Sequence, residues 1–190
     1  MDRALLPIRN FIAIPIKQEI KEKITEFVLP LKKDNSNVKW DKKSNYHITL
    51  LFIGNSTGKE IIFIDKVLSE MVKEISNMHL EIKGIGAFPN INRAKTIWVG
   101  VKSDNTLLQF QNNLVKNIKK EIVIKNNNRF IPHITIGRVK TIANTELVHS
   151  LQKDKERFFG EQNIDNIVHY ESKLTPKGAV YTVIKNYIIK

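Results

Sequence analysis

Apolar residues along this chain switch repeatedly between the two-residue repeat of an extended strand and the three-to-four-residue repeat of a helix. Phe11, Ile12, Ala13 and Ile14 make a first strand over residues 10–14. Ile16, Ile20, Ile24, Phe27, Val28 and Leu31 then share one helical face, and Pro30, which lacks an amide hydrogen, is expected to end that helix. A polar loop at 34–37 leads to a short extended piece at 38–40 and an apolar strand over 46–53. Thr57 and Glu60 have capping-box spacing ahead of a buried stripe of Ile61, Ile64, Leu68, Met71, Val72 and Ile75. Alternation over 79–85 and an apolar run over 96–101 give two more strands around a turn at Pro89-Asn90. Gly84 and Gly86 are spaced loosely like a phosphate loop, but no helix start follows, so they read as strand irregularity or close packing.

The second half runs in a similar order. Leu107, Leu108, Leu114, Val115 and Ile118 mark a third helix, and Asn126-Asn127-Asn128 a loop. Pro132 disfavours helix for Ile131 and so extends the approach to a strand beginning at His133. A short helix over 145–152, a strand over 167–174, the turn Thr175-Pro176-Lys177-Gly178 and a last strand over 180–189 follow. This rough duplication predicts an α+β fold of two pseudo-symmetric lobes, with mainly antiparallel strands, helices outside and a central cleft. Its 190 residues, 42% hydrophobic, suit one two-lobed domain.

Composition narrows the chemistry. The chain has no Cys, which excludes disulfides, thiolate nucleophiles and thiolate-bound metals. Its five His show no i, i+4 pairing, so a metal-free, cofactor-free mechanism is expected. A net charge of +12 favours a polyanionic partner, although a lysine-rich background also raises charge without any binding role. No apolar stretch approaches the ~20 residues needed to span a bilayer, and the opening segment does not read as a signal peptide, so a cytoplasmic protein is the default, as is a monomer.

The chemistry-bearing feature is a tripeptide that occurs twice, His47-Ile48-Thr49 and His133-Ile134-Thr135, each opening a strand. In an extended chain residues i and i+2 face the same way, so each copy projects an imidazole and a hydroxyl together. Two such pairs across a cleft would grip a phosphodiester. Imidazole serves as acid or base near neutrality, and the hydroxyls of Thr49 and Thr135 would donate to phosphate oxygens whose charge rises in the transition state. Arg138 lies three residues beyond Thr135, at the wrong parity, and reaches the phosphate only if the strand twists or bulges after Gly137. His79, His149 and His169 have no hydroxyl partner at i+2 and are assigned no chemistry.

Five segments in order carry a resemblance: Arg9-Asn10-Phe11-Ile12-Ala13-Ile14; Trp40 with Asn45-Tyr46-His47-Ile48-Thr49-Leu50; Gly86-Ala87-Phe88-Pro89-Asn90 with Ile97-Trp98-Val99-Gly100-Val101; Pro132-His133-Ile134-Thr135-Ile136-Gly137-Arg138; and Ser172-Lys173-Leu174-Thr175-Pro176 with Tyr181. Together they resemble the 2H phosphoesterase superfamily, within it the RNA 2′,3′-cyclic phosphodiesterases also called 2′–5′ RNA ligases. The resemblance implies catalytic His47 and His133, phosphate contacts from Thr49, Thr135 and Arg138, and opening of an RNA 2′,3′-cyclic phosphate to a 2′-phosphate. It implies RNA, tRNA fragments among them, or a cyclic-phosphate nucleotide as substrate, and 2′–5′ ligation on reversal. Which imidazole is acid and which is base stays open, though analogy favours the second as base. The alternative is a module that binds a nucleotide or RNA end in the same cleft without turnover. Arg129, Lys42 and Lys43 are candidates for backbone contact, and Trp40, Phe88 and Trp98 for base stacking.

Overall fold

Alternating apolar positions with helices available to cover one side produce a single layered arrangement, seen in a computed structural model that describes residues 6–75, 78–124, 129–176 and 178–189. In chain order the elements are β1 (Ile8–Pro15), α1 (Gln18–Asp34), β2 (Val38–Trp40), β3 (His47–Ser56), α2 (Gly58–Met71), β4 (His79–Phe88), β5 (Thr96–Ser103), α3 (Asn105–Ile118), β6 (His133–Val139), α4 (Thr145–Lys153), β7 (Phe158–Asn163), β8 (Asn166–Thr175) and β9 (Gly178–Ile188). The strands form one hydrogen-bonded path, β7-β4-β5-β6-β3-β1-β8-β9, with β2 pairing β6. Every pairing is antiparallel. The expected two lobes are the two ends of this path, and they join where β3 meets β6 through one residue pair, Ile48 with Ile134.

The helices cover the sheet in an exchanged manner. α1, which follows β1, packs on β7 and β2 of the other lobe; α3, which follows β5, packs on β3 and on α2. Phe27 of α1 meets Phe159 of β7 edge-on, with ring centroids 5.7 Å apart. Gln111 of α3 donates from Nε2 to the Leu50 carbonyl at 3.1 Å. One apolar cluster runs through both lobes, including Ile12, Ile24, Ile48, Leu68, Ile82, Leu114, Ile134 and Leu151. α2 starts as its sequence predicts: Glu60 N–H donates to Thr57 Oγ1, and the Glu60 carboxylate accepts from Thr57 N–H at 2.6 Å.

Two expectations are corrected. Pro30 lies inside α1, which continues to Asp34. Leu31 is buried and Asn35 Nδ2 donates back to the Leu31 carbonyl at 2.8 Å, so packing and a side-chain cap hold the last turn despite the missing amide. β7 went unread, because Phe158-Phe159-Gly160-Glu161-Gln162-Asn163 is short and polar, and its alternation is broken at Gly160, whose φ is +141°. The glycines of β4 fit both readings made of them. Gly84 has φ +87° where the β4–β5 register shifts, and a Cβ on Gly86 would overlap the Trp98 indole. The Asn126–Asn128 loop, Lys177 of the last turn and the opening segment 1–5 lie outside the described residues. Among the described residues no helix is long and apolar enough to cross a membrane.

Ile48 and Ile134 are both fully buried on the helix-covered face of the lobe junction. Truncating either to Ala is expected to cost about 2–5 kcal/mol by lost transfer energy and a residual cavity. Equilibrium urea unfolding of Ile48→Ala and Ile134→Ala checks this; a loss under about 1 kcal/mol in both would show that the junction does not carry the packing assigned to it.

Candidate phosphodiester site

The site follows from one register. Antiparallel pairing of Ile48 with Ile134 sets His47 across from Thr135 and Thr49 across from His133. Because Ile48 and Ile134 point into the core, the residues on either side of each point to the opposite face, where all four are only partly buried. The two tripeptides therefore meet on one surface about a local two-fold axis. The cleft divides into adjoining cavities that share residues. A small polar one of about 160 Å³ is lined by Arg9, Phe11, Asp41, Asn45, His47, Thr49, Phe52, Thr135, Arg138, Ser172 and Tyr181. A larger one of about 830 Å³ takes in Thr49, Phe52 and His133 together with Phe88, Leu108, Gln111, Arg129 and Phe130.

Each imidazole is held the same way. His47 Nδ1 lies 2.6 Å from the Asn45 carbonyl and His133 Nδ1 lies 2.7 Å from the Ile131 carbonyl. A carbonyl only accepts, so Nδ1 carries the hydrogen and leaves Nε2 with the lone pair in a neutral ring. His47 Nε2 is 3.0 Å from Thr49 Oγ1, which donates to it. Aromatic rings wall in both histidines: Phe11, Tyr170 and Tyr181 around His47, with centroids 4.9–6.3 Å away, and Phe88 and Trp98 around His133 at 5.0 and 6.3 Å.

That setting favours the neutral imidazole. Burial pushes His47 down to about 4, with the Asn45 carbonyl opposing and the Lys21, His133 and Arg138 charges assisting. Burial also lowers His133, opposed by the Ile131 carbonyl and helped by Arg138. Asp41 moves the other way, raised by burial against the pull of Arg138 and Lys39. Tyr181 is raised chiefly by burial and keeps its hydrogen as a donor. Among the described residues no group of three or more His, Cys, Asp or Glu is arranged to hold a metal ion.

All five residues singled out by sequence, His47, Thr49, His133, Thr135 and Arg138, border these two joined cavities. Arg138 does reach the cleft, but through a bulge before Gly137 rather than the expected one after it: Thr135 pairs with Trp98 and Gly137 with Ile97, so Ile136 is an extra residue that flips parity. Gly137 permits this corner, because a Cβ there would sit 2.9 Å from Trp40 and Val38 side-chain atoms. Sequence reasoning missed Arg9, Asp41 and Ser172, which come from other strands and loops. Arg129 borders the larger cavity and Lys42 a third one beside His47, whereas Lys43 is 3.1 Å from Glu22 in an ion pair. Phe88 borders the larger cavity, Trp98 packs between Phe88 and Gly86 and lines neither cavity, and Trp40 lies against Gly137. His169 is fully buried and holds Asn10 Oδ1 at 2.9 Å, a structural part.

Solved structures share this topology across nearly the whole chain. One from Thermus thermophilus superposes with TM-score 0.81 at 22% identity, covering 96% of this chain and 98% of its own. Escherichia coli LigT complexed with 3′-AMP gives 0.76 at 22% identity, covering 97% and 99%. At that identity they establish the fold, the one that LigT has. Sequence relatives are nearer. A protein of Methanocaldococcus jannaschii named RNA 2′,3′-cyclic phosphodiesterase is 36% identical over 188 residues, 95% of this chain and 100% of the relative. Its namesake in Aquifex aeolicus is 32% identical over 182 residues, 95% and 90%. The 2′-5′ RNA ligase superfamily model matches residues 17–170, and the chain belongs to that superfamily.

The buried histidines make stability depend on pH. His47 and His169 fall from 6.5 to about 4 on folding, and His133 falls as well. Above 6.5 these rings are neutral in both states; as pH drops toward 4 the unfolded chain takes up protons that the fold refuses, and stability declines. Urea midpoints measured across that window should fall steadily, less steeply in His47→Gln. Midpoints that stay level would contradict the burial of these rings.

Proposed function

We propose that this protein opens the 2′,3′-cyclic phosphate at an RNA end to a 2′-phosphate, using His47 and His133 as an acid–base pair that needs no metal. The observation that carries this reading is the Ile48–Ile134 pairing, which turns two imidazole–hydroxyl pairs toward each other on one face. The relatives named RNA 2′,3′-cyclic phosphodiesterase support the choice of substrate.

One imidazole takes a proton from water as its oxygen attacks phosphorus, and the other gives a proton to O3′ as the P–O3′ bond breaks. The products are a 3′-hydroxyl and a 2′-phosphate monoester, and the two imidazoles have exchanged protonation. Thr135 and Arg138 donate to the non-bridging oxygens as their charge grows, and Thr49 joins them once the substrate draws its hydroxyl off His47 Nε2 and frees that nitrogen for proton transfer. With a 5′-hydroxyl RNA end in place of water as the attacking oxygen, the same steps form a 2′–5′ linkage, and their reversal cleaves it to the cyclic phosphate and a 5′-hydroxyl. Every group named comes from one chain, so the reading needs no second subunit. The larger cavity, with Phe52, Phe88 and Phe130 among its walls, gives a base room to stack.

Burial holds both rings neutral, yet the reaction needs one protonated. The substrate supplies the remedy, since a bound phosphate is negative and raises the pKa of the imidazoles beside it. The bell-shaped profile of kcat, which reports the complex, should therefore lie at higher pH than that of kcat/KM, which reports the free enzyme. Superimposable profiles would remove this coupling.

His47→Ala and His133→Ala should each lower turnover of an RNA ending in a 2′,3′-cyclic phosphate by about 10² to 10⁴. Binding of a nucleoside 2′-phosphate should persist. Unchanged rates in both variants would sink the two-histidine reading.

A further inference from the structure

The sequence offset that carries His47 onto His133 also carries Thr49 onto Thr135, Leu50 onto Ile136 and Phe52 onto Arg138. The pairings repeat as well: Leu50 is an extra residue between the partners Ala13–Thr49 and Ile12–Leu51, as Ile136 is in β6. Phe52 and Arg138 thus stand just past matching bulges, both turned toward the face of the histidines, and both line the small cavity. The first half presents a phenyl ring where the second presents a cation.

Arg9 of β1 makes up the difference. Its guanidinium lies over the Phe52 ring, 4.6 Å from the centroid, and lines the same cavity as Arg138. Both guanidiniums are tethered alike by one neutral hydroxyl. Arg9 Nη1 donates to Ser172 Oγ at 3.1 Å, and Arg138 Nη1 to Thr96 Oγ1 at 3.4 Å. Among the described residues neither has a carboxylate within ion-pair distance. A guanidinium with most of its donors unspent, beside a polar hollow, is a strong anion ligand. At about 160 Å³ the hollow suits one phosphate and its sugar.

We propose that Arg9 is a second phosphate-binding residue: held flat on Phe52, it supplies from the first half the guanidinium that Arg138 supplies from the second, and both grip the reacting phosphate. This rests on the reading of the cleft as a cyclic-phosphate site. A cyclic phosphodiester carries one negative charge, and attack by an oxygen adds to the charge on its non-bridging oxygens. Two guanidiniums on opposite flanks share that growing charge, which one alone would meet from a single side.

The test compares wild type, Arg9→Ala, Arg9→Lys and Phe52→Ala on two substrates, a nucleoside 2′,3′-cyclic monophosphate and an RNA ending in the same group. Losing a charge-assisted contact should lower kcat/KM of Arg9→Ala by about 10- to 100-fold, equally on both substrates. Arg9→Lys keeps the charge without the flat stacking surface and should fall between; Phe52→Ala should show a smaller loss in the same direction. Calorimetric titration with adenosine 2′-monophosphate, beside a thermal melt of each variant, separates lost binding from lost folding. Wild-type affinity and kcat/KM in Arg9→Ala would overturn the proposal, and so would a loss confined to RNA, since that places Arg9 on a neighbouring phosphate. If wild type turns over no cyclic phosphate, the functional reading fails, while the adenosine 2′-monophosphate affinities still decide the role of Arg9.

Discussion

One pairing, Ile48 against Ile134, sets what the rest of the molecule can do. It is the sole register point between β3 and β6 among the described residues, and antiparallel geometry around it leaves no freedom in which residues face which. A slip of either strand by one residue would turn its histidine and threonine into the core and its isoleucine into the cleft. Full burial of both isoleucines opposes a slip in either strand, because it would expose a large apolar side chain and bury a histidine and a threonine. The hydrophobic core thus fixes the site's geometry from behind, with no need for a direct bond between the two histidines.

Electrostatics at the front follows from the same layering. A sheet face lined with aromatic rings shields the imidazoles in part from water, and a carbonyl two residues upstream fixes the hydrogen of each on Nδ1. Nε2, the nitrogen that can exchange a proton with a ligand, is left as a lone pair. Neutral rings stand beside two guanidiniums that form no ion pair among the described residues, with Asp41, whose carboxyl burial pushes up, in the same hollow, so the site offers cationic donors next to imidazoles that carry no charge of their own. In the proposed reaction that combination would separate binding, assigned to the arginines, from proton transfer, assigned to the histidines.

Much of this was legible in the chain. Period-two and period-3.6 patterns located four helices and most strands, and the repeated tripeptide identified the four polar residues at the junction. The misreadings share a cause: each depends on contacts distant in sequence. Pro30 sits inside a helix because Leu31 finds burial there, which local propensity cannot see. β7 is a strand because β4 offers it an edge. Arg138 looked misaimed because simple alternation has no place for the extra residue at Ile136, and Arg9 escaped notice because it belongs to the opening strand and reaches the cleft across Phe52. Laying one half over the other aligns Leu50 with Ile136 without a gap, so the bulge that both strands carry shows only in their registers.

The exchange of helices between lobes has a consequence for modularity. The stretch from β4 to β7 supplies most of one lobe, yet β2, which pairs with β6, and α1, which seals part of that lobe, both come from before β3. Excised, that stretch would show water the apolar side on which Phe27 now rests against Phe159, together with an unguarded strand edge. The complementary piece would carry α1 with nothing to cover and lack α3. Neither portion is a transplantable unit, so inheritance and engineering alike must handle the two lobes as an indivisible whole.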